Sequence, residues 1–233
     1  MGCDLTEFVG TALGHTIGLV IANVDPRLRE ALGIDGRFRS IGIIGDRVGA
    51  GPQIFAADEA VKATNCEVIK FELPRDTEGN GGPGCLIIFG ASDVSDARRA
   101  VEITLREIER TMGDVYVTPA GHLEMQYTAR ASQALAFALG APLGRAFGFA
   151  VGSPAAIGVV MGDAAMKAAN VEMTAVLTPS PSIGFSNEVI NLFTGDSGAV
   201  KQAVIAAREV GKQLFATLEP DVPVASVTEP YIG

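Results

Sequence analysis

GHTIGLVIANVDPRLREALG, residues 14–33, returns as GHLEMQYTARASQALAFALG, residues 121–140, with His15 and His122 in register. The copy continues: DEAVKATNCEV from Asp58 returns as DAAMKAANVEM from Asp163, with Asp, Ala, Lys, Ala, Asn and Glu in step. RRAVEITLRE from Arg98 has its counterpart in KQAVIAAREV from Lys201, each following a turn written GASDVSD in one copy and GDSG in the other. A duplication this long makes tandem domains, since solenoid repeats run at roughly 20–50 residues. The first domain is expected over residues 8–113 and the second over 114–218, with a Pro-rich tail, 219–233, extended or loosely docked.

Within each copy, sheet and helix segments alternate. Thr16 to Val24 predicts a strand, Asp25-Pro26 an N-cap followed by proline at the first helical position, and Gly33 the end of that short helix. SIGIIG from Ser40 predicts a buried strand, and Gly49, Gly51 and Pro52 lead into a helix running to about Asn65. The strands CEVIKFEL and CLIIFG flank a glycine-rich loop, and the helix that follows sets Ala97, Val101, Leu105, Ile108 and Met112 at helical spacing. The expected fold class is α/β, in the sense of an α+β sandwich, with each sheet covered by helices on one side.

Composition narrows the function. The chain of 233 residues is 48% hydrophobic and carries a net charge of −9, so neither nucleic acid nor an anionic membrane is expected as a partner. Residues 146–162 are uncharged but interrupted by Pro154 and glycines, too short to span a bilayer. No signal peptide is read at the start, and a cytoplasmic location is expected. Cys3, Cys66 and Cys85 form no CxxC pair, so reduced thiols are the expectation.

Several strings invite chemistry and fall short. GDSGA from Gly195 echoes a serine-protease nucleophile, but the duplication explains it and no base accompanies it. IGIIGDRVGAGPQ lacks both the Lys-Ser/Thr of a phosphate loop and the third glycine of a dinucleotide fingerprint. His15 and His122 read as turn or surface residues, not metal ligands, and Glu67 and Glu172 as solvated strand positions. No paired carboxylates stand out. Cys85 adjoins the glycine-rich loop, where a three-fold axis could gather three thiols for an iron–sulfur cluster; a buried structural thiol is the plainer alternative. No catalytic residue, metal site or cofactor is expected, and the chain is not expected to be an enzyme.

Two polar loops stand at one equivalent position, PRDTEGNGGPG over residues 74–84 and TPSPSIGFSN over 178–187. With FVGTALGHTIGLVIANVDP, GAGPQIFAADEAVKAT and SNEVINLFTGDSGAVKQAVIAAREVGK, they make the chain resemble the tandem-domain, trimeric shell proteins of bacterial microcompartments, in the propanediol-utilisation B-type branch. The resemblance covers nearly the whole chain. It implies two circularly permuted shell domains, a homotrimer whose six domains imitate a hexagonal tile, and other shell proteins as edge-to-edge partners. It also implies pores passing a small diol or triol, 1,2-propanediol or glycerol, while retaining an aldehyde.

Carried onto this sequence, the resemblance makes Thr77, Gly79, Asn80, Gly81, Gly82, Ser180, Ser182, Gly184, Phe185 and Ser186 the candidates for a central-pore rim. Asp46, Arg47, Gly49, Gly51, Gln53, Ser153, Pro154 and Ala155 become candidates for a channel within each subunit. Family members with iron–sulfur clusters hold them by pore-loop cysteines, and here only the flanking Cys85 is available, so no cluster is expected. The competing reading is a stand-alone polyol-binding regulator that does not tile.

Overall fold

A computed structural model describes residues 6–73, 84–179, 187–218 and 231–233. The first half runs β1 (Phe8–Ala12), β2 (Thr16–Ile21), α1 (Pro26–Ala31), β3 (Ser40–Gly45), α2 (Gly51–Lys62), β4 (Glu67–Glu72), β5 (Leu86–Ala91), α3 (Val94–Thr111). The second repeats that order as β6 (Val115–Thr118), β7 (Gly121–Thr128), α4 (Gln133–Leu139), β8 (Ala146–Ser153), α5 (Ala155–Ala168), β9 (Val171–Leu177), β10 (Val189–Gly195), α6 (Ser197–Phe215). Each half is a five-stranded sheet, ordered β1-β2-β3-β5-β4 and β6-β7-β8-β10-β9, and antiparallel at every pairing. This is the α+β sandwich, in duplicate. β1 and β6 are additional edge strands that hydropathy did not announce, because FVGTA and VYVT carry too little alternation to be told from loop.

The predicted punctuation has physical form. The Asp25 carboxylate accepts the Arg27 N–H at 2.9 Å, so α1 begins where Pro26 fits without a missing bond, and Gly33 ends it at φ 67°. Alternation along β3 sorts its two faces: Ile44 joins the main core, while Ile41 packs with Val24 and Ile88 on the opposite face. Val24 and Ile34, which flank α1, pack on that opposite face, while α1 itself buries no residue. Gly42 and its equivalent Gly148 let the long helices approach, since a Cβ would lie 2.7 Å from Val101 Cγ2 at one and 2.7 Å from Val204 Cγ2 at the other.

The halves share one core. Phe55 of α2 stacks on Phe147 of β8 at 6.2 Å between ring centroids and meets Phe149 edge-on at 6.0 Å. Asp58, fully buried, reaches across to α4 and accepts the Ser132 N–H at 3.0 Å, the Ser132 hydroxyl at 2.6 Å and the Leu135 N–H at 3.2 Å. Lys62 balances its charge at 2.9 Å. A helix of the first half thus caps a helix of the second. At the chain's end, the Ile232 N–H donates to Asp114 at 2.7 Å and the Tyr231 hydroxyl donates to the Tyr127 carbonyl. These last residues are docked, while 219–230 lie outside the described residues.

Candidate functional site

The junction between the halves carries the polar chemistry. α2 points its N-terminus at β7, and the Glu124 carboxylate accepts the N–H groups of Ala50 and Gly51, both at 3.3 Å. A carboxylate there meets orphan amide donors and the positive end of the helix dipole. Gly51 must be glycine, because a Cβ would stand 2.1 Å from Gln126 Oε1 and 2.5 Å from Phe149 Cε1. On the same strand, His122 brings Nε2 to 2.8 Å from Glu188 Oε2 and 3.9 Å from Glu124 Oε1. The Glu188 contact is an ion-pair distance without hydrogen-bond alignment.

All three side chains are buried: His122 is 3% exposed, Glu124 1% and Glu188 1%. Glu124 Oε1, both Glu188 carboxylate oxygens and Gln126 Oε1 have no aligned donor among the described residues. Beside them lies a cavity of about 10 Å³, room for about one water, walled by Ala50, Gly51, Phe71, Leu73, Glu124, Leu139, Phe149, Val151, Glu188 and Ile190. Burial pushes the Glu124 carboxyl up to about 7, against the lowering pull of the His122 charge and the two helix N–H groups. For His122, burial opposes the charged form, but the Glu188 contact and the charge of Glu124 outweigh it and leave the imidazole raised.

His122 therefore corrects the sequence reading: it is a buried partner of two carboxylates, whereas His15, its copy, is exposed in a turn at φ 53°. The Glu124–Glu188 pair was missed altogether. Its members sit at copy-equivalents of Ile17 and Gly84, so the duplication itself flagged them as departures from the repeat.

Of the channel candidates, Gly51 lines the cavity. Asp46 accepts the Cys85 N–H at 2.7 Å, the Arg47 N–H donates to the Gly14 carbonyl at 3.2 Å, and Gly49 holds φ 91°. Gln53 is buried as a turn brace, its amide donating to the Val48 carbonyl at 3.1 Å. Ser153 pairs with His122 across the β7–β8 ladder, followed by Pro154 and by Ala155, whose N–H donates to Asn187 at 3.3 Å. The two candidate stretches thus meet opposite ends of the His122–Glu124 run on β7. Cys85 is buried, and burial, with the nearby Asp46 charge, holds its thiol well above the ordinary range. The central-pore candidates Thr77, Gly79, Asn80, Gly81, Gly82, Ser180, Ser182, Gly184, Phe185 and Ser186 lie outside the described residues. Among the described residues no group of three or more His, Cys, Asp or Glu is arranged to hold a metal ion, and no helix is long and apolar enough to cross a membrane.

A second feature emerges when the halves are compared position by position. Phe55, Val61 and Phe71 of the first half press against the second, and their copies Val160, Met166 and Val176 are 43%, 40% and 45% exposed. The receiving side shows the reverse: Leu135 is fully buried against the first half, and its copy Leu28 is 45% exposed. The joint that unites the halves is therefore present again as an open donor face on one end of the chain and an open acceptor face on the other.

Comparison with known proteins places these features. Residues 40–120 and 146–223 each match the BMC domain. The bacterial microcompartment shell protein PduB of Citrobacter freundii is 62% identical over 216 residues, covering 93% of this chain and 80% of that protein. A crystal structure of a trimeric bacterial microcompartment shell protein PduB superposes with TM-score 0.92 at 50% identity, covering 98% of this chain and all of the other. EtuB from Clostridium kluyveri gives TM-score 0.92 at 49% identity, covering 98% and 99%.

Proposed function

We propose, from the premise that the chain belongs to the BMC-domain family of microcompartment shell proteins, that it is a structural tile closed by three copies and pierced by solute passages. It is a shell subunit of a bacterial microcompartment for propanediol utilisation, and no comparison favours a stand-alone regulator. The observation that carries the tile is the unused joint. Val160, Met166 and Val176 form one half of a surface whose other half includes Leu28, so each chain can repeat against its neighbour the packing that Phe55 makes internally. Such a head-to-tail interface either closes into a ring or runs on as a filament. Two equivalent units per chain, related by the same step, close a pseudo-sixfold ring after three chains. Apolar patches of this kind are costly on a monomer and ordinary at an interface.

Reactive chemistry is not part of the role. The tile's edges meet other shell proteins, its centre is rimmed by the loops around residues 77–82 and 180–186, and a narrower passage follows the junction between the halves. At that junction the groups without an aligned partner among the described residues are the acceptors Glu124 Oε1, the Glu188 oxygens and Gln126 Oε1, together with His122 Nε2. A diol or triol can donate hydroxyl hydrogens to these acceptors, whereas an aldehyde carbonyl has no hydroxyl hydrogen to give them. Passage of a diol requires Phe71, Leu73 and Leu139 to move aside, because the closed cavity admits about one water.

The tile is tested by the molar mass of the purified chain, expected at about 72 kDa, three times 24.1 kDa, and by sheets in electron micrographs. The selectivity is tested on assembled shells, where 1,2-propanediol is expected to cross faster than propionaldehyde; equal rates overturn it.

A further inference from the structure

The joint used inside the chain and the joint left open between chains differ in their polar groups. Inside, the Ser132 hydroxyl donates to Asp58 at 2.6 Å. The Gln133 side-chain amide pairs both ways with the Val68 backbone, accepting its N–H at 2.8 Å and donating to its carbonyl at 2.9 Å. In the register that matches Leu28 to Leu135 and Val160 to Phe55, the open faces hold Asp25 for Ser132, Pro26 for Gln133, Arg27 for Ala134, Asp163 for Asp58 and Lys167 for Lys62. Proline has no side-chain amide, so the Gln133 bonds have no counterpart between chains. An ionised Asp25 can only accept, so it cannot repeat the Ser132 bond, and on its own it would repel Asp163.

Arg27 changes the sign of that meeting. Its guanidinium is held by Asp25, with Nε 3.1 Å from Oδ1 and Nη2 3.0 Å from Oδ2, and the Nη1 hydrogens stand outside that pair. Ala134, the copy of Arg27, is fully buried against the first half, whereas 91% of the Arg27 side chain is exposed. The position therefore faces the open joint. On the opposite face Asp163 holds Lys167 at 2.6 Å, with both side chains largely exposed. Arg29 and Glu30 of α1 fall farther out, since their copies Ala136 and Phe137 are half-buried and exposed.

We propose that a second copy of this chain is held at the open joint by a relay of alternating charge, running Asp25, Arg27, the partner's Asp163, the partner's Lys167, with Arg27 as the bridge. The planar guanidinium can serve two carboxylates at once, and the relay brings two positive and two negative charges together, so closure adds no net charge. The proposal rests on the tile reading and names how the joint between chains is fastened. Inside the chain the joint is fixed by neutral donors packed in a shared core; between chains the same apolar contact is steered and registered by charges that salt screens.

The test is a dilution series of the intact protein at pH 7, where all four groups are charged, read by sedimentation as the trimer dissociation constant. Arg27→Glu sets two acids against Asp163, and Asp163→Lys sets two cations against Arg27; each is expected to weaken association about tenfold or more at about 0.1 M salt. The double variant faces two acids with two cations and is expected to associate as well as the wild type, which separates loss of the relay from misfolding. The gap between the wild type and either single variant is expected to shrink at about 1 M salt, where the screening length falls from about 10 Å to about 3 Å. Arg106→Glu, the same charge change at an exposed position of α3, is expected to leave association unchanged. If Leu28→Asp dissociates the trimer but the two charge variants leave it intact, or if the double variant recovers nothing, the relay is overturned and the tile stands. A wild type that never forms trimers overturns the tile and the relay together.

Discussion

Replacing Glu124 by glutamine should make the protein more stable at pH 8 and leave it nearly unchanged at pH 5. In the folded chain the carboxyl lies at about 7 instead of 4.5, chiefly because it is buried. Ionising it in place therefore costs roughly 3 kcal/mol relative to ionising it in the unfolded chain. For a raised carboxyl, the stabilising contribution is fully present below the unfolded value of 4.5 and is lost as pH rises through about 7. His122, also raised, acts in the same direction, with Glu188, Asp46 and Cys85 as the neighbouring titratable groups. Glutamine keeps an acceptor for the Ala50 and Gly51 N–H groups and adds a donor for the orphaned Glu188 oxygens. Urea denaturation in sodium buffers at pH 5, 6, 7 and 8 is the assay. At pH 8 the variant should gain up to about 3 kcal/mol, or roughly 6–12 °C in Tm for a chain of this size, and its pH slope should flatten. A variant that keeps the wild-type slope, or that is destabilised by the same amount at pH 5 and pH 8, refutes the reasoning.

Asp58→Ala removes the acceptor that caps α4 and leaves the Ser132 and Leu135 N–H groups and Lys62 without it; a loss of about 2–4 kcal/mol in denaturant titration is expected. Gly148→Ala drives a methyl group into Val204 and Val200, and should cost about 1–3 kcal/mol, as should Gly42→Ala against Val101. Both are read as shifts in urea midpoint at constant slope.

Local punctuation was legible because it is written in single residues. Asp25-Pro26 capped α1, and SIGIIG and CLIIFG were apolar enough to be buried strands. The duplication carried the two-unit plan, since equivalent strings such as DEAVKATN and DAAMKAAN folded into equivalent helices. What the sequence concealed was environment. Asp58 and Asp163 occupy the same place in the repeat and both pair with a lysine four residues on, yet one is buried across the junction and the other solvated. Likewise His122 is buried and His15 exposed. No local pattern separates such copies, because burial is decided by which half packs against which. The acid pair escaped notice for the same reason: Glu124 and Glu188 are far apart in the chain and meet only through the β7–β8–β10 ladder. The departure from the repeat, Ile17 to Glu124, was the available signal.

The central claim is that one joint is used twice, once inside the chain and once between chains. Leu28→Asp removes the acceptor face and Val160→Asp the donor face, each at an exposed position that the isolated fold does not need. Native mass spectrometry of the two variants, alone and mixed, tests this most directly. Each alone is expected at one chain mass, 24.1 kDa. Mixed, the intact donor of one should meet the intact acceptor of the other and stop at a one-to-one pair of about 48 kDa, twice 24.1 kDa. Trimers from either variant alone, or a mixture in which no mixed pair forms, would contradict the account.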